Sequence, residues 1–307
     1  MSRPPFITLP GCARAHRLRT ARGEFAVHDA RPEGAARGTV LLVPGFTGSK
    51  EDFIALLEPL ARAGFRVVAV DGRGQHETGG PRDEGAYAQQ ELARDVLAQA
   101  AALDARANTT GITADTADAT AERSAPLHVL GHSLGGLVVR TAVMMAPDTF
   151  ASLTLMSSGP AAISESQQAR TKLLIDALAV TDMETVWQAM RELDPPEAPE
   201  ESTPPGVEDF LHQRWLGTVP EQLIATGRQL NSEPDRVAEL AGVALPKHVL
   251  SGIVDYAWPV PLMDDMADRL GARRTVIQGA GHSPNAERPL PTAEALIDFW
   301  RGVDRDS

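Results

Sequence analysis

The residue with the strongest chemical signature in this sequence is Ser133, at the centre of the run GHSLGG, residues 131–136. The run lies between a short apolar segment, Leu127–Leu130, and a segment with helical patterning. A serine at a tight turn between a strand and a helix is held in a strained backbone conformation, and small neighbours remove the side chains that would collide there. The glycines two residues before and two residues after Ser133 meet this need. The pattern therefore predicts a nucleophilic serine.

Three further runs accompany this serine: VPGFT at residues 43–47, SGIVD at 251–255 and GAGHSPN at 279–285. In this order they resemble three parts of the α/β-hydrolase superfamily: the oxyanion loop after the third strand, the strand end that carries the acid, and the late loop that carries the histidine. With the serine run they span most of the chain, from about Thr39 to Trp300. The sequence thus resembles the lidded serine hydrolases of that superfamily, in which serine, acid and histidine follow each other in this order.

The resemblance implies a role for each of five residues. Ser133 would attack the substrate, and His282 would take its proton and later protonate the leaving group. Asp255 would hold the imidazole in the correct tautomer and stabilise the imidazolium. The backbone N–H groups of Phe46 and Leu134 would stabilise the oxyanion. None of these roles requires a cofactor or a metal, and the sequence has no HExxH, GxGxxG or P-loop motif.

These residues leave more than one function open. We expect first a cofactor-independent serine hydrolase that cleaves an ester-like acyl substrate through an acyl-enzyme. The same triad could serve a lactonase, a carbon–carbon bond hydrolase, a perhydrolase or haloperoxidase, or an acyltransferase, because the fold does not decide the reaction. A non-catalytic module that binds a ligand is a third possibility. Enzymes with an aspartate nucleophile are disfavoured because position 133 is serine.

Alternating strand-like and helix-like segments must position these residues. Short apolar runs that end at turn residues are typical of buried parallel strands. Their alternation with helical segments predicts an α/β fold, with a mostly parallel central sheet and helices on both faces. Two weaker strands near residues 15–20 and 24–28 would form an antiparallel edge. The predicted parallel strands are Thr39–Val43, Phe65–Val70, Leu127–Leu130, Leu153–Met156, Lys247–Ser251 and Arg274–Gln278, and a long helix is predicted at Ala86–Asp104.

The alternation stops between about Ser157 and Leu245, where the sequence indicates helices and no strand. This predicts an all-helical lid at residues 157–245, inserted between two parts of the core, 1–156 and 246–307. A Pro- and acid-rich stretch, 194–206, would be a solvated hinge or lid loop. Residues 108–123, rich in Ala, Thr and Asp, would form an exposed loop.

Apolar residues near the predicted site indicate a small or medium-sized, mostly apolar acyl substrate. Trp187 and Met183 in the predicted lid, and Trp258 beside the acid, are candidates to line its pocket. Because the two lid residues recur at helical spacing, most of that stripe is expected to form the lid's own core, and the pocket is the alternative. His132, next to the serine, and His76, at a possible pocket rim, are expected to carry no step of the chemistry.

Composition limits the partners. The chain has 29 Lys and Arg against 41 Asp and Glu, a net charge of −12, whereas nucleic acids and anionic membranes require a basic face. A single cysteine, Cys12, excludes an internal disulfide. The first 22 residues lack the apolar core of a signal peptide, and no run is long enough to span a membrane. We therefore expect a cytoplasmic monomer or homodimer.

Overall fold

The computed structural model describes residues 2–109, 125–193 and 206–306, which form one eight-stranded sheet flanked by helices. The strands are β1 (Ala13–Thr20), β2 (Gly23–Ala30), β3 (Gly38–Val43), β4 (Phe65–Val70), β5 (Leu127–His132), β6 (Ser152–Met156), β7 (Lys247–Gly252) and β8 (Arg273–Ile277). Their order in the sheet is β1-β2-β4-β3-β5-β6-β7-β8. β2 pairs antiparallel with β1 and with β4, and every other neighbouring pair is parallel. The predicted α/β fold with an antiparallel edge is confirmed.

Helices cover both faces of this sheet. They are α1 (Ile54–Arg62), α2 (Gln89–Thr109), α3 (Leu134–Met145), α4 (Glu165–Leu178), α5 (Met183–Leu193), α6 (Val207–Gly217), α7 (Pro220–Ser232), α8 (Val237–Ala241), α9 (Val260–Leu270), α10 (Pro284–Glu287) and α11 (Pro289–Asp306). Helices α2, α3 and α9 share one hydrophobic core with the sheet, and α1 and α11 share another. Across the described ranges, no helix has both the length and the apolar character needed to cross a membrane.

The two cores follow from the strand repeat, because successive side chains of a strand point to opposite faces of the sheet. In β3, Val40 and Leu42 pack with α1 and α11, whereas Leu41 and Val43 pack with α2, α3 and α9. Every residue of β3 is buried, as expected for a central parallel strand. This buried strand leads directly into the loop that contains Phe46.

The predicted helix Ala86–Asp104 corresponds to α2, but the structure corrects both of its ends. The helix begins at Gln89, because the carboxylate of Asp83 caps a separate 3₁₀ turn before it. It continues to Thr109, so it includes the first residues of the predicted loop 108–123. The remainder of that predicted loop lies outside the described residues.

Between β6 and β7 the described residues form helices α4 to α8, which we call the helical segment. Part of it has its own hydrophobic core, formed by side chains of α4, α5, α6 and α7. Helices α7 and α8 also contribute to the core that contains α2, α3 and α9. The predicted linker 194–206 falls almost entirely on residues 194–205, which lie outside the described residues. The boundaries of the segment as a domain stay a prediction.

A buried ion pair ties the helical segment to the sheet. Arg140 of α3 is 1% exposed, and its guanidinium donates to the carboxylate of Glu233 at 2.6 Å. The same guanidinium donates to the backbone oxygens of Gly159 and Pro160, at 3.3 and 2.8 Å. Glu233 is also buried, so its charge depends on this cation.

We expect Arg140→Met to lower the free energy of unfolding by about 3–5 kcal/mol, because it leaves the carboxylate of Glu233 buried without a cation. Urea denaturation followed by circular dichroism measures this change. Lys172→Met is the control, since it breaks an exposed ion pair with Asp176 that is worth at most about 1 kcal/mol. A similar small loss in both variants would contradict the prediction.

Candidate active site

Ser133 occupies the turn between β5 and α3 in a strained conformation. Its φ of 54° and ψ of −121° lie in a region that residues other than glycine rarely adopt. The backbone N–H of Ser133 donates to the oxygen of Met156 at 2.9 Å, which anchors the turn to β6. A Cβ on Gly131 would lie 2.3 Å from the oxygen of Gly135, so the turn closes only with glycine at position 131.

The structure brings three side chains from separate loops together. His282 Nε2 lies 3.1 Å from Ser133 Oγ, and His282 Nδ1 lies 2.8 Å from Asp255 Oδ2. Asp255 follows β7, and its other oxygen, Oδ1, accepts hydrogen bonds from the N–H groups of Ala257 and Trp258 at 2.8 and 3.1 Å. The Asp255 side chain is fully buried, whereas Ser133 and His282 are 7% and 8% exposed. Solvent therefore reaches the serine and histidine but not the acid.

This arrangement determines which nitrogen of His282 carries a proton. A carboxylate oxygen only accepts hydrogen bonds, so Nδ1 of the neutral ring donates to Asp255. Nε2 then has its lone pair directed at the hydroxyl of Ser133. In this state the imidazole is able to accept the serine proton.

The loop after β3 lies against the serine turn. A Cβ on Gly45 would lie 3.0 Å from the Cβ of Ser133, and a Cβ on Gly135 would lie 2.4 Å from the oxygen of Val43. Leu134 is the first residue of α3, so its N–H has no acceptor within the helix. The N–H of Phe46 donates to no other described residue. Within the described part of the chain, neither of these two backbone N–H groups has a protein acceptor.

Aromatic rings surround His282. Its backbone oxygen accepts a hydrogen bond from Nε2 of His132 at 2.8 Å, and burial lowers the pKa of His132 to about 3, so that ring stays neutral. The ring of Tyr256 lies 4.6 Å from the His282 ring, and that of Trp258 lies 6.5 Å away. His132 thus holds the histidine loop in place. Tyr256 belongs to the apolar stretch around Asp255 that the sequence placed either near the histidine or at the substrate side of the pocket.

The three candidate pocket residues lie in different places. Trp258 is buried in the core with α2, α3 and α9, and its indole N–H donates to the oxygen of Ala161 at 2.8 Å. Trp187 is buried in the core of the helical segment, where its ring stacks on His212 at 5.2 Å. Met183 packs against that same core. No hydrogen bond between described residues joins Trp187 or Met183 to the serine and histidine.

Two buried polar side chains beside the loop after β3 were not singled out from the sequence. The ammonium group of Lys50 is fully buried, and it donates to Asp71, Glu51 and Glu77 at 2.8–3.0 Å. The amide of Gln75 donates to the backbone oxygen of Gly45 at 2.8 Å. The only signal for Gln75 is its place in a turn that follows β4. Within the ranges that the structure covers, no three His, Cys, Asp or Glu side chains are arranged to hold a metal ion.

Comparisons with known proteins agree with this architecture. The model of the alpha/beta hydrolase family matches residues 40–295. A dihydrolipoyllysine-residue acetyltransferase component of an acetoin cleaving system, from Cupriavidus necator, is 31% identical over an alignment of 276 residues that covers 85% of this chain. The chain spans 63% of that relative's length.

Two solved structures have a similar fold. A thermophilic esterase from Thermogutta terrifontis has a TM-score of 0.70 at 23% identity, and the match covers 95% of this chain and 100% of the esterase. An enol-lactonase from Burkholderia xenovorans has a TM-score of 0.69 at 19% identity, with 93% and 100% covered. The family match covers the serine turn, the acid and the histidine. The chain belongs to the alpha/beta hydrolase family.

Proposed function

We propose that this protein is a serine hydrolase that cleaves an ester-like acyl substrate through an acyl-enzyme and uses no cofactor. The observation that carries the proposal is the continuous pair of hydrogen bonds from Asp255 through His282 to Ser133. A serine hydroxyl is a weak nucleophile at neutral pH unless an adjacent base takes its proton. Here that base, and the acid that orients it, are already in contact.

In this mechanism Ser133 Oγ attacks the carbonyl carbon of the ester while His282 Nε2 takes the hydroxyl proton. The negative charge on the carbonyl oxygen would be stabilised by the N–H groups of Phe46 and Leu134, which have no acceptor among the residues that the structure describes. His282 then gives its proton to the leaving alkoxide, and an acyl group stays on Ser133. His282 next takes a proton from water, whose oxygen attacks the acyl group. His282 then returns this proton to Ser133 Oγ as the bond between the acyl group and the serine breaks, which releases the acid and restores the serine.

We also propose that the helical segment is a lid over this site. Helix α6 contacts two loops near the site: Phe210 packs edge-on against His76 at 5.5 Å, and Arg214 donates to Asp52 at 2.7 Å. Phe46 packs against both the core of the sheet and the core of the helical segment. Phe46 and Phe210, together with Tyr256 beside His282, would give the site an apolar surface that suits a mostly apolar acyl group.

A second candidate reaction is acyl transfer to an acceptor other than water. It is favoured by the relative from Cupriavidus necator, which is named as an acetyltransferase component and matches 85% of this chain. The acyl-enzyme would be the same in both reactions. Only the group that attacks it would differ.

We expect a fluorophosphonate probe to label the wild-type protein at Ser133, because only an activated serine reacts with it. Ser133→Ala and His282→Ala should not be labelled, while Ser49→Ala is the matched control and should be. Labelling is read by intact-protein mass spectrometry, and nitrophenyl esters of increasing chain length then give the acyl preference. A folded wild-type protein that neither reacts with the probe nor cleaves an ester would overturn the proposal.

Oxygen-labelled water separates the two reactions. Hydrolysis places one labelled oxygen in the acid product, whereas transfer to a small dithiol such as dihydrolipoamide yields a thioester without label. We expect the labelled acid to dominate in the presence of both acceptors. Thioester as the main product would favour the second candidate.

A further inference from the structure

We propose that Gln75 is a positioning residue that fixes the Gly45–Phe46 peptide so that the N–H of Phe46 stays available to the oxyanion. This inference rests on the proposed function, because it assigns to Phe46 the donor role described there. It concerns a side chain that takes no part in the transfer of protons. Gln75 would act only through the backbone of the loop after β3.

The hydrogen bonds of Gln75 leave one orientation for its amide. Its Nε2 donates to the backbone oxygen of Gly45 at 2.8 Å, and its Oε1 accepts from the N–H of Gly72 at 2.9 Å. A backbone N–H only donates and a backbone oxygen only accepts, so the reverse orientation would lose both bonds. The side chain is 4% exposed, and water therefore does not replace either partner freely.

The bond to Gly45 also fixes the direction of the next N–H. In a trans peptide the C=O and the following N–H point in opposite directions within one plane. Because Gln75 holds the oxygen of Gly45, the N–H of Phe46 points away from Gln75. That N–H has no acceptor among the described residues. It is therefore free to donate to the carbonyl oxygen of a bound substrate.

The loop benefits from such a restraint because residue 45 is a glycine, at a position with little room for a side chain. A Cβ there would lie 3.0 Å from the Cβ of Ser133 and 3.3 Å from the oxygen of His132. Glycine also allows backbone rotations that other residues resist, so the peptide after it flips more easily. A flip would turn the N–H of Phe46 away and present the oxygen of Gly45 to the developing negative charge.

One other group holds the same oxygen. The N–H of Gly48 donates to Gly45 at 3.1 Å, but it belongs to the same short loop and can move with it. Gln75 comes from the turn after β4 and is itself anchored to Gly72. It therefore ties the peptide to a second, independently held part of the fold.

The variant that tests this role is Gln75→Glu, which keeps the shape of the side chain and the bond from Gly72 but has no N–H for Gly45. We expect kcat to fall about 10- to 100-fold, less than the 10²–10³ that the outright loss of an oxyanion donor costs. KM for a nitrophenyl ester should change less than about threefold, because the donor acts mainly in the transition state. Affinity for benzeneboronic acid, which forms a tetrahedral adduct on the serine, should fall by the same factor as kcat/KM.

Two further variants separate positioning from a general loss of packing. Gln75→Leu removes both hydrogen bonds and should lower kcat at least as much as Gln75→Glu. Gln99→Leu is the matched control, since Gln99 is a buried glutamine that lines a small cavity together with Gln75, and no hydrogen bond between described residues joins it to the loop after β3. It should retain kcat and boronic acid affinity within about twofold, even if the midpoint of thermal unfolding falls.

The outcomes also distinguish this inference from the proposed function. If the wild-type protein cleaves esters in a manner that depends on Ser133 but Gln75→Glu keeps full kcat, only the inference is overturned. An equal loss of kcat in Gln75→Glu and Gln99→Leu would overturn it as well. If the wild-type protein neither reacts with the fluorophosphonate nor binds the boronic acid, both the inference on Gln75 and the proposed function are overturned. A crystal structure of Gln75→Glu with the Gly45 oxygen turned towards Ser133 would support it directly.

Discussion

Asp255→Asn is expected to lower kcat by about 10⁴-fold while the protein stays folded, as the same change does in serine proteases with this triad. The structure gives a reason that is specific to this chain. Oδ1 of Asp255 accepts from the N–H groups of Ala257 and Trp258. In the asparagine variant the carbonyl oxygen must keep these two donors, so its NH₂ group faces His282.

This orientation of the amide places the proton of the neutral imidazole on the wrong nitrogen. An NH₂ group facing Nδ1 of His282 can only donate to it, so the neutral ring must carry its proton on Nε2. Nε2 then donates to Ser133 instead of accepting its proton, and the base is lost. Because the side chain keeps its shape and its backbone partners, we expect little change in the free energy of unfolding.

The prediction is measured as kcat for the best nitrophenyl ester at pH 7, with urea denaturation of the same preparation. Asp265→Asn is the control, because Asp265 is an exposed acid of the nearby helix α9 that pairs only with Arg269 at the surface. It should retain kcat within about twofold. A loss of less than tenfold for Asp255→Asn would show that another group orients His282.

The sequence predicted the sheet and the serine turn well, for a physical reason. Buried parallel strands are short apolar runs, and the turn at Ser133 accepts only small residues on both sides, so both leave a local signature. Gly131 is an example, since a Cβ there would collide with the backbone at 2.3 Å. The acid and the histidine lack such local constraints. Their positions were inferred from a resemblance to a family.

Contacts made across the fold were not predictable in this way. Nothing in the sequence around Gln75 indicates that its side chain donates to Gly45. Nothing around Lys50 indicates that its ammonium group is buried among three carboxylates. Lysine is ordinarily exposed, and two of the three carboxylates around Lys50, those of Asp71 and Glu77, come from the stretch after β4. The ion pair of Arg140 and Glu233 was also not predictable, because the two residues are 93 positions apart in the sequence. Such pairs depend on the tertiary structure, so no local pattern reveals them.

Buried histidines lead to the second large prediction, a steep loss of stability in mild acid. Four histidines are at most 5% exposed, and burial is the main cause that lowers the pKa of each from its ordinary value of 6.5. The unfolded chain therefore binds up to four protons between pH 6.5 and about 4 that the folded protein does not. The pKa values are about 4 for His28 and His128 and about 3 for His132 and His248.

Two buried carboxyl groups act in the opposite direction. Burial raises the pKa of Asp71 to about 7 despite its contact with Lys50, and burial also raises the pKa of Asp52 beside Arg214. Even if the folded protein holds a proton on each of these two carboxyl groups, the unfolded chain binds about two more protons than the folded protein between pH 6.5 and about 4. Stability is thus greatest above pH 6.5 and falls as the pH decreases towards 4.

The size of the effect follows from this proton count. Each proton changes the free energy of unfolding by about 1.4 kcal/mol per pH unit, so two to four protons give roughly 3–6 kcal/mol per pH unit near pH 5. A domain is stable by only about 5–15 kcal/mol, so we expect most of this stability to be lost by about pH 4.5. Urea denaturation at half-unit steps from pH 7.5 to 4.5 measures the slope.

The variant His248→Leu connects the slope to a buried histidine. His248 is fully buried beside Phe299, so its removal takes away one proton that only the unfolded chain binds. We expect the slope to fall by about 1.4 kcal/mol per pH unit, even if the loss of the bond to Thr275 lowers stability at neutral pH. Thr275→Val is the control, because it removes the same hydrogen bond but no titratable group, and it should leave the slope as it is. A free energy of unfolding that stayed constant in the wild-type protein down to pH 5 would contradict the prediction.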